Sequence, residues 1–368
     1  MTSQEGQNSN GDREMIGKAS IKVIGVGGGG CNAVTRMFQE PLEGVDYLAV
    51  NTDAQHLLAI PVPNKVRIGD KLTRGLGVGG NPEIGKEAAE ESREELYEVV
   101  RGADMIFIAA GMGGGTGTGA SPTVAEIAKE TGALTIAIVT RPFTFEGNKR
   151  RKQAEDGIQK LRERVDSLVV IPNDKLLEMC AQDVTAEAAF KLADDVLRQG
   201  VQSIAELVTT PGTINLDFAD VKAIMSGAGP AWMAIGSASG PNRAVEAAKA
   251  AISCPLLDVS IEGAKGVLLN VTGGSDLTLH EVHAAAEVIE QVVDPNANII
   301  FGMVQNMKME DEVRVTVIAT GFPAAEALIP SEERLFAKAE VPSESSQDTL
   351  DIPPFLRRLT TNGRRKGF

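Results

Sequence analysis

A doubly wound α/β fold, with a parallel sheet, a long connecting helix and a second, smaller α+β domain, is what the sequence predicts. Three observations predict it. Short apolar runs bounded by turn residues alternate with helical patterns through the first half. Two glycine loops follow strands of that half, where open α/β sheets bind ligands. A long helical stretch then precedes a second set of strands and helices.

The first half opens with a strand over 20–25, a helix over 32–39 and a strand over 47–51. The runs 105–109, 135–139 and 167–171 are apolar throughout, as expected of strands covered on both faces of a parallel sheet. Right-handed βαβ crossovers make the first domain Rossmann-like. From Thr185 to about Val208, apolar residues from Phe190 to Leu207 recur near helical spacing, and the pattern stops before Pro211 and Gly212. Strands over 232–236, 266–271 and 313–318 follow, with two helices between them. The second helix carries Leu279, Val282, Ala286, Ile289 and Val293 as a core stripe.

These patterns divide the chain into a polar arm (1–15), a first α/β domain (16–184), a connecting helix (185–210) and a second domain (211–323). A Ser-, Glu- and Pro-rich linker (324–348), an apolar-centred peptide (349–358) and a basic tail (359–368) complete it.

Composition narrows the function. With 368 residues, 43% hydrophobic and 23% charged, the chain fits a soluble protein of two domains plus tails. A net charge of -14 argues against nucleic-acid binding. No apolar run is long enough to insert in a membrane and the start is polar, so the cytoplasm is expected. Cys31, Cys180 and Cys254 lack CxxC spacing and point to neither zinc nor a disulfide framework. His280 and His283, three apart without further ligands, and the isolated His56 give no metal site.

The first loop, Gly25 to Asn32, satisfies GxGxxG, and Asp53 ends the next strand as a ribose-binding acid would. It reads equally as a tight strand-to-helix turn. The second loop, Gly111 to Gly119, is more specific: Gly113, Gly114, Gly115, Gly117 and Gly119 free backbone N–H groups for phosphate oxygens, while Thr116 and Thr118 add hydroxyls. A helix expected near Ala120 aims its positive end at the same anion. No GxxxxGK[ST] occurs, so this is no ordinary P-loop.

Four further groups have two readings each. Glu146 and Arg150 form an exposed i,i+4 pair, or a carboxylate for ribose hydroxyls beside a guanidinium for phosphate. Asn173 and Asp174, after a strand, read as turn residues or as an N-cap. Asp194 belongs to a solvated acidic pair, or accepts the N1 and N2 protons of guanine while Phe190 stacks on the ring. Asn215, Asp217 and Asp220 cap a helix, or polarise water.

Taken together, these segments resemble the tubulin/FtsZ family of GTPases, in particular its bacterial FtsZ branch, from about Ala19 to Phe322 and again at Asp351-Ile352-Pro353-Pro354-Phe355-Leu356-Arg357-Arg358. The resemblance implies GTP or GDP as the nucleotide, with magnesium accompanying GTP. It assigns Gly28, Gly29, Gly30, Cys31 and Asn32 to phosphate binding and closure, and Gly115, Thr116 and Gly117 to the phosphate cradle. It gives Glu146 to ribose, Arg150 to the nucleotide, Asn173 and Asp194 to guanine, and Leu72 to Asn81 to sensing the γ-phosphate. Asn215, Asp217 and Asp220 match a loop that completes the neighbouring subunit's active site, so a head-to-tail homopolymer at the mid-cell division septum is implied. The peptide Asp351–Arg358 is implied to dock on membrane-tethering and regulatory division proteins. Cys31 and Val78 depart from the family's commoner residues, the linker is short, and the basic tail lies beyond the family's peptide.

Two other readings compete. A Rossmann-type NAD-dependent oxidoreductase would use the first loop and Asp53 but leaves the second loop unexplained. A nucleotide-binding adaptor would polymerise little and act through the C-terminal peptide.

Overall fold

The computed structural model describes residues 19–178, 185–209, 217–254, 261–306, 309 and 311–322. The expected N-terminal arm, Cys180, Asn215, the linker, the C-terminal peptide and the basic tail lie outside the described residues.

The chain runs β1 (Ile21–Val26), α1 (Gly27–Gln39), β2 (Val45–Asn51), α2 (Ala54–Ala59), β3 (Asn64–Arg67), α3 (Asp70–Thr73), α4 (Pro82–Glu91) and α5 (Arg93–Val100). It continues with β4 (Met105–Gly111), α6 (Thr116–Glu130), β5 (Leu134–Arg141), a 3-10 turn (Thr144–Glu146), α7 (Asn148–Arg162), β6 (Ser167–Pro172) and α8 (Asn173–Glu178). Next come α9 (Ala186–Thr209), α10 (Phe218–Met225), β7 (Gly229–Ser239), α11 (Arg243–Ile252), β8 (Gly266–Gly273), α12 (Leu279–Glu290), β9 (Asn298–Gln305) and β10 (Glu312–Thr320).

The strands form a ten-stranded sheet in the order β3-β2-β1-β4-β5-β6-β7-β10-β8-β9. Strands β1 to β6 are parallel, in the doubly wound order. β7 joins the halves: its first residues, 229–231, pair with β6, and the rest runs antiparallel to β10. The two halves predicted from sequence therefore share one sheet.

Side-chain alternation explains why the central runs are apolar throughout. Val23, Phe107, Ile136 and Ile138 face a cluster with α1 and α9, and that cluster continues into β8 and β10 through Val267, Leu269 and Val317. Ile24, Ile106, Ile108 and Val139 face a second cluster with Ala88, Leu96, Ala125, Ile127 and Leu161 from α4 to α7. Each strand is covered twice.

Two helices begin earlier than their sequences predict. α1 starts at Gly27 rather than Asn32, and α6 at Thr116 rather than Ala120. Glycine disfavours helix, but here packing overrides propensity. A Cβ at Gly30 would sit 2.2 Å from the Ala109 carbonyl oxygen, and one at Gly119 would sit 1.9 Å from that of Pro82. β9 was not expected: it is an edge strand, half exposed and interrupted by Gly302, with a weak alternation signal.

Candidate nucleotide site

The strand order reverses between β1 and β4, and beyond the carboxyl ends of these strands lies a cleft of about 650 Å³. Glycine builds its floor. Gly28 and Gly29, in the first turn of α1, line it together with Gly114, Gly115 and Gly117 at the start of α6. The two loops interlock, since a Cβ at Gly27 would lie 2.5 Å from the Gly117 nitrogen. Both helix N-termini leave N–H groups without intrahelical partners, so an anion here meets two sets of donors.

Thr116 lines the cleft and its hydroxyl lies 2.8 Å from that of Thr52, which ties the second loop to the end of β2. Thr118 does not line it. Its hydroxyl, expected to face phosphate, instead accepts the Gly113 N–H at 2.8 Å and is buried. Gly30, Cys31, Gly113 and Gly119 do not line the cleft either, and at the three glycines close approach of backbones decides the residue. The Cys31 thiol is within 3.6 Å of the Gly25 and Val50 carbonyl oxygens, and burial pushes it up to about 12, so it stays protonated at neutral pH.

Glu146, Arg150, Asn173, Phe190 and Asp194 all line the other end. The Asn173 side chain is 5% exposed, and its Oδ1 is buried with no hydrogen-bond partner among the described residues. An orphaned acceptor is costly, on the order of 1–3 kcal/mol, unless a ligand donor meets it. The Phe190 ring is 43% exposed and stands edge-on to Phe143, with centroids 5.3 Å apart. Arg36 Nε donates to Asp194 Oδ2 at 3.3 Å, and burial pushes the Asp194 carboxyl up to about 6 while Arg36 offsets part of that rise. An aromatic face beside two acceptors suits a purine whose edge donates, as guanine's N1–H and N2–H do.

The expected Glu146–Arg150 pair forms at the edge of the cleft. Arg150 Nη1 donates to Glu146 Oε2 and the Phe143 N–H donates to Glu146 Oε1, and both Glu146 and Arg150 still line the cleft.

Several lining residues had no sequence assignment. Asn51, Thr52, His56 and Thr140 face the cleft. Asn51-Thr52-Asp53 ends a strand at the switch point, which was the available signal. His56, isolated in sequence, stands between Asn51 (3.1 Å) and Asn32 (3.0 Å). Asp53 also lines the cleft, but its Oδ1 caps α2 by accepting the Gln55 and His56 N–H groups.

Asp217 and Asp220 stand apart. They form a capping box at the start of α10, with Asp217 Oδ1 accepting the Asp220 N–H at 2.8 Å and Asp220 Oδ2 facing the Asp217 N–H at 3.4 Å. Both are exposed, and neither lines the cleft.

Sheet order, interlocked glycine loops and an acceptor-lined pocket define a nucleotide-binding α/β protein. Comparison with known proteins narrows the class. Residues 20–181 match the Tubulin/FtsZ family GTPase domain, and residues 229–323 match the FtsZ family C-terminal domain. An empty FtsZ dimer from M. jannaschii is 49% identical, with 83% of this chain and 88% of that chain covered and a TM-score of 0.80. Two Haloferax volcanii proteins share the fold. A GDP-bound CetZ1 monomer is 22% identical, covering 84% and 96% of the two chains with a TM-score of 0.71. A GTPγS-bound CetZ2 protofilament is 21% identical, covering 87% and 96% with a TM-score of 0.68. The chain belongs to the tubulin/FtsZ family of GTPases. The oxidoreductase reading falls with that match.

Proposed function

We propose that GTP and GDP bind in this cleft, that subunits assemble head to tail, and that GTP is hydrolysed where one subunit meets the next. The observation that carries this reading is the separation of two half-sites. Phosphate-facing glycines line the cleft, whereas the exposed carboxylates of Asp217 and Asp220 open α10 away from its lining. A second copy supplies what one subunit lacks, and such a heterologous contact propagates into a filament.

Apolar exposure supports a covered face. Leu58 is 82% exposed, Leu76 84% and Phe145 63%, all on segments flanking the cleft. Large apolar side chains left this exposed around a cleft are suited to burial against a second copy. The FtsZ of M. jannaschii occurs as a dimer and CetZ2 as a protofilament.

In the assembled site, Asn173 and Asp194 accept guanine's protons and Phe190 packs on its ring. Glu146 accepts a ribose hydroxyl, and Arg150 meets the nucleotide's charge. Backbone N–H groups of Gly28, Gly29, Gly114, Gly115 and Gly117 hold phosphate oxygens, which stabilises charge developing in the transition state. Asp217 and Asp220 each keep a carboxylate oxygen outside the capping bonds. From the neighbouring subunit they orient a water for attack on the γ-phosphorus and accept its proton, releasing GDP and phosphate. Asn215 joins them in this reading. Magnesium accompanies the triphosphate in this reading.

The filament serves as the cytoplasmic ring at the mid-cell division septum, tethered to membrane-bound and regulatory division proteins through Asp351–Arg358. A bacterial source rests on that peptide's resemblance, because the 49% identical relative is from M. jannaschii. Asp220→Ala tests the shared site. It should bind GDP as the parent does and lose GTP turnover by about 100-fold or more. Parent-like turnover would sink the mechanism. A flat light-scattering trace on GTP addition, across several salts and pH values, would favour the adaptor reading.

A further inference from the structure

His56 belongs to a hydrogen-bonded chain that lines the cleft and whose polarity can be read from one end. The Thr52 N–H donates to Asn51 Oδ1 at 2.9 Å, and a backbone N–H can only donate. The Asp53 N–H approaches the same oxygen at 3.4 Å. Asn51 therefore turns its Nδ2, a donor, toward His56 Nδ1, 3.1 Å away. That nitrogen must accept, which leaves the neutral ring's proton on Nε2. Nε2 then donates to Asn32 Oδ1 at 3.0 Å. With its oxygen held, Asn32 has only its Nδ2 left to present, and Asn32 lines the cleft.

The setting fits this role. The ring lies over the first glycine loop, where a Cβ at Gly28 would come 4.0 Å from His56 Cε1. Thr52, at the start of the chain, also holds the second loop through the Thr116 hydroxyl at 2.8 Å. One set of bonds thus joins the end of β2 to both phosphate-facing loops.

We propose that His56 is a positioning residue of the nucleotide site, fixing the Asn32 amide so that its Nδ2 donates to the bound nucleotide. This rests on the reading that GTP and GDP occupy the cleft. An unheld Asn32 amide on an exposed helix turn rotates between two orientations, one of which turns its oxygen toward an anionic ligand. His56 removes that orientation.

The test is a double-mutant cycle on the full-length protein with GDP, measured by calorimetry. His56→Ala should weaken GDP binding about five- to tenfold, the net scale of one ordinary hydrogen bond, because Asn32 loses its orientation and not its amide. Thermal melting should stay close to the parent's. In an Asn32→Ala background the same His56→Ala change should weaken binding no further. His56→Phe keeps the ring volume over Gly28 and loses both nitrogens, and it carries the same cycle should His56→Ala not fold. Equal GDP affinity in the parent and the His56 variant would overturn the proposal. So would the same loss in both backgrounds, which would mean that His56 acts independently of Asn32. Absence of GDP binding by the parent protein would instead overturn the nucleotide reading itself.

Discussion

Arg36 Nε on α1 donates to Asp194 Oδ2 on α9 across 3.3 Å, joining the helix of the first glycine loop to the end of the cleft lined by Asn173 and Phe190. The pair is uneven: the Asp194 side chain is 14% exposed and that of Arg36 33%. One guanidinium does not compensate that burial, so the Asp194 carboxyl remains raised at about 6. A half-compensated acceptor beside a nucleotide cleft is a group held ready for a ligand donor.

That imbalance predicts a trade between stability and binding. The folded protein holds the Asp194 proton more tightly than the unfolded chain does, so ionisation lowers stability as pH rises from 3.8 through about 6. The full displacement corresponds to roughly 3 kcal/mol, and we expect about 1–3 kcal/mol in practice. Asp194→Asn should therefore melt higher than the parent at pH 7.5 without nucleotide, with the gain fading toward pH 4. The same variant should bind GDP more weakly at pH 7.5. Melting curves at both pH values and calorimetry with GDP check the two halves, and a variant less stable at pH 7.5 would contradict the first.

Asp220→Ala and Asp194→Ala damage opposite halves of the proposed shared site. Each should hydrolyse GTP poorly alone. Mixed, an Asp220→Ala subunit can bind GTP and receive the intact α10 carboxylates of an Asp194→Ala neighbour. The mixture should then exceed the sum of the two separate rates by about twofold or more. A purely additive rate would place both functions within one subunit.

Glycines in the second loop should separate packing from binding. A Cβ at Gly114 meets nothing within 4 Å, whereas one at Gly119 falls 1.9 Å from the Pro82 carbonyl oxygen. Gly114→Ala should melt near the parent while weakening GTP binding. Gly119→Ala should cost about 2 kcal/mol or more of stability, because α4 and α6 must move apart. Urea unfolding and nucleotide titration distinguish them.

Cys31 sits in the first loop yet should be inert. Burial holds its thiol near 12, and reagents attack the thiolate. Iodoacetamide at pH 8 should leave Cys31 unlabelled in the native protein and label it in urea, as read by peptide mass mapping.

Much of the first half was legible. Runs such as 105–109 and 135–139 are apolar because both faces of the sheet are covered, and a continuous run records that directly. The Gly113–Gly119 segment marked phosphate chemistry because few other constraints cluster glycine and threonine so tightly. Helix starts were less legible. Gly27–Gly30 and Thr116–Gly119 read as loop, and only the facing Ala109 and Pro82 carbonyls explain why helical glycines stand there. The place of His56 at the cleft was not legible because its contact with Asn32 joins residues 24 apart in the chain and is made only by tertiary packing.

By itself the sequence determined the α/β class and the two glycine loops, and it marked Asn173, Phe190 and Asp194 as candidates that line one cleft, since local period and residue chemistry encode these. Tertiary structure decided which members of each motif line the cleft. Thr116 lines the cleft while Thr118 closes its own loop, and Asp217 and Asp220 cap α10 away from the lining. The physical reason is that facing depends on how strands and helices pack, and packing is set by contacts far apart in the chain.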